Sequence, residues 1–349
     1  MRATTSRKAL LETLGKVKSA VSKSSLPVTN SVLIRSGGGQ VTATGHSLDF
    51  CLTAMCKATV SQVGAVCAPP KELEAFLKAV IDEKVILSSV GNSSLKVEAG
   101  KTSITLHGFD AKDFPPIPGV KGKAIEVSGL GKALKEVSYA MSKDESRPAM
   151  IGVCFTPVDS SIELAATDGY RLGMTRVKAK GTLANQVIIP AAVITLIERL
   201  MSGKVSIHPA PNETSFIGDG LVLVTKPVSG TYPSYSQVIP KNGSRLTFSR
   251  KEMENALKVV TSFNPKSAVR LQTRAGKLTL QTVEVERGTC EARIPVKGKT
   301  KIAFDGSYLK DLLKRLEEKV ILRISNAQSP GVVRANGTTH VLMPRTVEW

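Results

Sequence analysis

The stretches SRKALLETLGKV, SGLGKALKEVSYAM and SRKEMENALKVVTSF, which begin at Ser6, Ser128 and Ser249, decide the fold. They start 122 and 121 residues apart, and in each of them apolar residues recur with a period near 3.6. This period predicts three helices, each with one face packed on a sheet. The serine at the start of each stretch suits an N-cap, where its hydroxyl accepts a backbone N–H.

A second helix-like run follows in each third of the chain. These runs are PPKELEAFLKAV, PAAVITLIERLM and GSYLKDLLKRLEE, which begin at Pro69, Pro190 and Gly306. Between the helices, segments such as SSIELAATDGYRLGMTRV alternate with period two, which is typical of antiparallel strands joined by tight turns. A repeat this long is a copied domain. We predict an α+β protein of three similar domains, 1–121, 122–243 and 244–349, each with two helices packed on antiparallel sheets.

Two proline-containing segments, 113–124 and 231–245, lie near the predicted boundaries. Proline fixes φ and restrains the preceding residue, so we expect stiff connections. Three domains arranged in an arc would form half of a ring that two chains close. The sequence allows a straight array equally well.

The net charge of +19 indicates a polyanionic partner, with nucleic acid ahead of membrane. The first third has 15 basic and 9 acidic residues, the second 13 and 10, and the last 20 and 10. Aromatic residues make up only 4% of the chain, which argues against stacking on single-stranded bases. A merely solubilising surface is the alternative.

Catalysis and metal binding find little support. The five cysteines contain no CxxC pair, the four histidines are scattered, and no phosphate loop, HExxH or GxSxG motif occurs. Asp144, Glu145 and Asp168 could be imagined as nuclease carboxylates, but no further acidic cluster joins them. We predict a protein without enzymatic activity, metal or cofactor. The N-terminal MRATTSRKALLETL lacks an apolar signal core, so a cytoplasmic location is expected.

Several motifs together resemble the bacterial β sliding clamp family, the processivity subunit of the replicative DNA polymerase. In chain order they are Leu26-Pro27, Asp113-Phe114-Pro115, Asp144-Glu145-Ser146-Arg147-Pro148, Ala166-Thr167-Asp168-Gly169-Tyr170-Arg171-Leu172, Tyr232-Pro233-Ser234-Tyr235 and Val341-Leu342-Met343-Pro344-Arg345. The resemblance implies a DNA clamp fold and a head-to-tail homodimer ring around double-stranded DNA, without sequence preference. It also implies a clamp loader ATPase, and a replicative DNA polymerase and repair proteins that dock through short peptides.

The family's peptide pocket, carried over by motif, would be formed by Met150, Thr167, Gly169, Tyr170, Arg171, Leu172, Pro233, Gln237, Val238, Val341, Met343, Pro344 and Arg345. Its apolar members would hold Leu or Phe side chains of the peptide, and Arg171 would fix a polar end. The alternative for the TDGYRL stretch is a turn between two strands, in which Asp168-Gly169 serves the backbone alone.

For DNA, the resemblance implies contacts from Lys23, Lys71, Lys78 and Arg199. Helix periodicity adds Lys132, Lys135, Lys251, Lys258, Lys310 and Lys314. A solvated helix face without a DNA role is the alternative for any one of these residues.

For the dimer, the family joins the first domain of one chain to the third domain of the other through a continued sheet edge. Ile104, Leu106 and Val260 are the predicted contributors.

The chain departs from the family in its overall basic charge, which also fits a non-ring DNA-binding scaffold. It departs again in a tail that ends at Trp349, which we expect either over the peptide pocket or packed elsewhere on the surface.

Overall fold

The computed structural model describes residues 1–21, 26–47, 49–240, 242–284 and 288–349. The helices within these ranges are α1 (Arg7–Val17), α2 (Pro70–Ala79), α3 (Leu130–Val137), α4 (Ala191–Leu200), α5 (Arg250–Val260) and α6 (Gly306–Leu313). In the described part of the chain no helix is long and apolar enough to cross a membrane.

The strands occur in three successive groups. The first group is β1 (Arg2–Ser6), β2 (Val32–Gly37), β3 (Gln40–His46), β4 (Phe50–Gln62), β5 (Gly64–Ala68), β6 (Lys84–Val90), β7 (Ser94–Ala99) and β8 (Thr102–His107). The second is β9 (Ile125–Ser128), β10 (Gly152–Val158), β11 (Ser161–Thr167), β12 (Arg171–Lys180), β13 (Val187–Pro190), β14 (Lys204–Ala210), β15 (Glu213–Gly218) and β16 (Leu221–Thr225). The third is β17 (Ser244–Ser249), β18 (Ala268–Arg274), β19 (Lys277–Glu284), β20 (Gly288–Pro295), β21 (Lys301–Asp305), β22 (Lys319–Ile324), β23 (Gly331–Ala335) and β24 (Thr338–Leu342).

The three groups repeat one order of elements. Each reads strand, helix, four strands, helix, three strands along the chain. The predicted α+β fold of three similar domains, with two helices each and antiparallel sheets, is therefore confirmed.

The chain divides into two compact units. One comprises Met1–Gly129 with Arg199–Pro227, and the other comprises Leu130–Glu198 with Val228–Trp349. The elements of the middle third are shared between the two units.

In the first unit, the last strand of the second repeat, β16, pairs with the fourth strand of the first repeat, β4. The strand order is β5-β2-β3-β4-β16-β15-β14-β9, and β4 also joins the run β1-β6-β7-β8. Across the β4–β16 seam, Ala54 lies opposite Leu221 and Leu52 opposite Leu223. One continuous sheet thus contains strands from two repeats.

The second unit repeats this arrangement. Its larger sheet has the order β13-β10-β11-β12-β24-β23-β22-β17, and Leu172 on β12 lies opposite Val341 on β24. A separate four-stranded sheet has the order β21-β18-β19-β20. Within the described residues, β20 has β19 as its only strand partner, so its other edge faces outward.

The helices of the last repeat cover this small sheet with their apolar faces. Met253 and Leu257 of α5 and Leu309 and Leu312 of α6 are buried in one core with Leu271 of β18. Each such side chain removed from water contributes about 1.5–3 kcal/mol, which compensates for the ordering of the helix.

The first helices of the first and last repeats share one capping arrangement. The Oγ of Ser6 accepts from the N–H of Ala9, and the Oγ of Ser249 accepts from the N–H of Glu252. The Ser6 hydroxyl also donates to Glu83, which directly precedes β6. The Ser249 hydroxyl likewise donates to Glu318, which directly precedes β22. These hydrogen bonds hold the pKa of both carboxyls below its ordinary value.

The middle repeat lacks this cap. Helix α3 begins at Leu130, after Gly129 with φ +71°, and the Ser128 hydroxyl makes no hydrogen bond to described residues. The predicted N-caps hold for Ser6 and Ser249 and fail for Ser128. Glycine in the left-handed region directs the chain away from the geometry that brings a hydroxyl over the helix end.

We predict that Ser249→Ala lowers the free energy of unfolding by about 1 kcal/mol, because α5 loses its cap. Ser128→Ala is the matched control and should change it by less than about 0.5 kcal/mol. Urea unfolding of both variants tests this, and equal losses in the two would contradict the capping account.

Candidate functional site

A tight turn between β11 and β12 forms the centre of the site. The Asp168 Oδ1 accepts from the N–H groups of Tyr170 and Arg171, at 2.9 and 3.0 Å. The Thr167 hydroxyl donates to the Arg171 carbonyl at 2.7 Å, and Gly169 has φ +90°. Asp168 and Gly169 therefore do form a turn between two strands, as the alternative interpretation of this stretch predicts. The aspartate side chain caps the turn, and the glycine adopts the left-handed conformation that the turn requires.

A cleft of about 270 Å³ opens beside this turn. It follows the β12–β24 seam, where the buried side chains of Leu172 and Val341 form its floor. The cleft is lined by Arg147, Met150, Thr167, Gly169, Arg171, Leu172, Pro233, Ser234, Tyr235, Val238, Val341 and Met343. Nine of the predicted pocket residues are thus brought together.

Four predicted pocket residues do not line the cleft. Tyr170 is exposed and its ring stacks near that of Tyr308, and Gln237 is also exposed. Pro344 is absent from the lining, and the Arg345 guanidinium binds Asp305 at 3.0 Å while its backbone N–H donates to Ala303. Backbone pairing with β21 carries Arg345 away from the cleft, which corrects its assignment.

Three lining residues were missing from the prediction although the motifs contain them. Arg147 lies in the DESRP motif, and Ser234 and Tyr235 lie in YPSY. The Tyr235 hydroxyl donates to Glu163 at 2.9 Å, and Arg176 binds the same carboxylate at 2.8 Å. This buried anchor orients the Tyr235 ring at the cleft wall.

Arg171 serves the scaffold of the cleft. Its side chain is only 10% exposed, and its Nε and Nη1 donate to Asp168 and Asp311 at 2.9 and 3.0 Å. The guanidinium lies 4.5 Å from the Tyr308 ring centroid and 5.4 Å from that of Tyr139. Two of its donors are engaged in these ion pairs, and fixing a peptide's polar end stays a prediction for Arg171. Arg147, at the rim, has the more exposed side chain.

Behind Arg171 lies a buried polar contact between β24 and the turn after α3. The Tyr139 Oη lies 3.0 Å from Nδ1 of His340, and the Arg315 guanidinium lies 4.5 Å from the Tyr139 ring centroid. Burial, with a smaller contribution from Arg315, lowers the pKa of His340 to about 4. The imidazole is therefore neutral at pH 7.

The predicted DNA contacts that the structure describes are all exposed, and all lie on helices except Lys314, which follows the end of α6. They are Lys71, Lys78, Lys132, Lys135, Arg199, Lys251, Lys258, Lys310 and Lys314. Lys78 pairs with Glu74 at 2.6 Å and Lys314 pairs with Asp311 at 3.1 Å, which leaves each partly neutralised. Lys23 lies outside the described residues.

The predicted dimer residues need correction. Val260 is 1% exposed and belongs to the core under α5, whereas its neighbour Val259 is 52% exposed. Leu106 is also buried within its own repeat, and Ile104 is partly exposed on β8. Consecutive helix positions point about 100° apart, so a shift of one residue exchanges core for surface.

Trp349 lies away from the cleft. Its ring lines a concavity on the outer face of the β18–β21 sheet, where the Lys301 Nζ is 4.9 Å from the ring centroid. Of the two positions expected from the sequence, packing elsewhere on the surface is the one observed.

No group of three or more potential ligands among His, Cys, Asp and Glu meets in the described ranges. All five cysteines are free thiols, and burial raises the pKa of Cys51 and of Cys67 to about 12.

The family of the chain follows from family models that match nearly its whole length. The N-terminal, central and C-terminal domains of the DNA polymerase III beta subunit match residues 1–118, 124–234 and 236–345. The chain belongs to this family, the bacterial β sliding clamps.

Individual relatives agree with the family models. The beta sliding clamp of Pseudomonas putida is 28% identical and that of Chlamydia pneumoniae 26%, with 99% of this chain and 99% and 98% of the relatives covered. The crystal structure of a Bartonella birtlesii sliding clamp bound to griselimycin superposes with a TM-score of 0.92 at 27% identity, over 99% of this chain and all of that one. The Pseudomonas aeruginosa beta subunit gives 0.92 at 25% identity, over the same shares.

Family membership decides between the predicted classes of function. The chain is a DNA sliding clamp of DNA replication, a processivity factor of the polymerase and not an enzyme. The nuclease reading of Asp144, Glu145 and Asp168 is therefore excluded, and Asp144 and Asp168 instead cap local turns.

We predict that His340 makes stability depend on pH. Its pKa is about 4 when folded and about 6.5 when unfolded, so the unfolded state binds the proton more readily. The stabilisation is complete above pH 6.5 and is lost as pH falls to about 4, a change of about 3 kcal/mol. Urea unfolding across this range should show a steeper acid loss for the native chain than for His340→Asn, and parallel curves would contradict this.

Proposed function

We propose that two chains close head to tail into a ring that encircles duplex DNA. The observation that carries the proposal is the pattern of seams: β4 pairs with β16 and β12 pairs with β24, each joining one repeat to the next. By the same rule β20 of the last repeat should pair with β8, the last strand of the first repeat. In the described residues neither strand has a partner on its outer edge, and a second chain supplies one.

We propose the domain boundaries 1–121, 122–243 and 244–349 for this ring. The family-model ranges and the threefold order of elements support them. We also propose a cytoplasmic location, in keeping with a role in bacterial replication.

The exposed helix cations are the proposed DNA contacts. Lys71, Lys132, Lys251, Lys258 and Lys310 are exposed and form no ion pair with a described carboxylate. Such side chains bind phosphates rather than base edges, so the contact has no sequence preference and weakens as salt rises.

The cleft at the β12–β24 seam is the proposed docking site for partner peptides. Its apolar floor accepts Leu or Phe side chains, and Met150 and Met343 can repack around different sequences. Arg147 at the rim suits an acidic group of the peptide. The proposed partners are the replicative DNA polymerase, the clamp loader ATPase and repair proteins.

We predict that Met343→Ala weakens binding of a Leu- and Phe-bearing clamp-binding peptide about tenfold, because an apolar wall of the cleft is lost. Gln237→Ala, which changes an exposed residue outside the lining, should leave the affinity unchanged. Fluorescence anisotropy of the labelled peptide measures both. Equal peptide affinity of Met343→Ala and the native chain would contradict the proposal that partner peptides dock in this cleft.

We predict that Val259→Asp opens the ring, because it places a charge on the exposed face of α5 beside β20. Light scattering should give twice 37.1 kDa for the native chain and 37.1 kDa for the variant at low micromolar concentration. Val120→Asp, at another exposed valine, is the control and should remain dimeric. If Val259→Asp remained as dimeric as Val120→Asp, closure of the ring through the β20 edge would be contradicted.

A further inference from the structure

The β21-β18-β19-β20 sheet carries a basic concavity on the face opposite α5 and α6. Along β18 and β19, Leu271 and Leu280 point into the core, and the alternate residues point outward. The outward residues enclose a space of about 550 Å³. Its basic members are Arg270, Arg274, Lys277, Arg293 and Lys301.

The register of the sheet places these cations in rows. Lys301, Gln272, Thr279 and Arg293 lie opposite one another on four adjacent strands. With strands about 4.8 Å apart, this row spans about 14 Å. Arg274 lies opposite Lys277 at the hairpin end, which adds two cations beside the row.

The positive charge of this face is largely uncompensated. Glu291 is the acidic residue of its lining, and it pairs with Arg293 at 2.6 Å. No described carboxylate lies within ion-pair distance of Arg274, Lys277 or Lys301. Close like charges cost free energy unless an anionic ligand neutralises them.

An aromatic ring borders the same cations. Trp349, the only tryptophan of the chain, is 48% exposed, and one face of its ring lies near the Lys301 ammonium. An exposed indole beside a row of cations is the combination with which proteins bind single-stranded nucleic acid.

We propose that this face binds a single-stranded nucleic acid segment outside the DNA that the ring encircles. Phosphates contact Arg274, Lys277 and Lys301, and a base stacks on Trp349. The exposed Trp349 ring offers a stacking surface for a base, which favours a nucleic acid over an acidic peptide. A stacking ring requires an unpaired base, which favours a single strand over a duplex.

The sole tryptophan provides the first test. A (dT)12 oligonucleotide added to the full chain at about 50 mM salt should quench Trp349 emission in a saturable way. Quenching should weaken as salt rises, because binding releases counterions from the phosphates and this release becomes less favourable at higher salt. Unchanged emission, or quenching that is insensitive to salt, would overturn the proposal.

Variants then assign the contacts, with anisotropy of a labelled (dT)12 as the readout. Arg274→Gln with Lys277→Gln should lower the slope of log affinity against log salt by about 1.4, since each phosphate contact contributes about 0.7. Trp349→Ala should weaken binding about tenfold through loss of stacking. Lys178→Gln with Lys180→Gln, at the exposed end of β12, removes the same charge elsewhere and should preserve the affinity for (dT)12.

Competition separates the possible ligands and does not depend on ring closure. A poly-glutamate chain that displaces (dT)12 at equal charge concentration would show an acidic peptide site and overturn the proposal. A blunt duplex that displaces it better than unlabelled (dT)12 would overturn it as well. Displacement by unlabelled (dT)12 ahead of both supports it.

Discussion

The edges of the sheets are the constraint on which the rest of this structure depends. An unpaired edge strand leaves a row of backbone N–H and C=O groups without partners, and β4 and β12 each meet this need with the last strand of the following repeat. The cleft proposed for partner peptides is a consequence, because Leu172 and Val341 form its floor where they meet across the β12–β24 seam. The proposed dimer follows from the same need at β20 and β8.

Much of this organisation could be predicted from the sequence because it is periodic. The spacing of Ser6, Ser128 and Ser249 gives three repeats, and their helix and strand periods give the elements within each. Family motifs bring most of the cleft residues together, since a motif preserves local backbone geometry. The cap that fails at Ser128 depends on one neighbour, Gly129, whose left-handed conformation a serine pattern does not reveal.

The sequence says least where a side chain's partner is distant along the chain. Arg171 lines the cleft, but no motif shows that Asp311, 140 residues later, binds its guanidinium. Arg345 leaves the cleft because it pairs with Ala303 of β21. The low aromatic content argues against stacking on single-stranded bases, but a composition cannot show that folding places the single Trp349 beside Lys301. Averages over a chain do not report such juxtapositions.

Topological retention on DNA tests the proposed ring most directly. The chain is assembled on nicked circular DNA with a clamp loader and ATP, separated from free protein at moderate salt, and the circle is then cut once. A closed ring should remain on the circle and slide off the ends after cutting. Equal retention before and after the cut would contradict encirclement and would indicate that the +19 charge holds the chain on DNA as a non-ring scaffold.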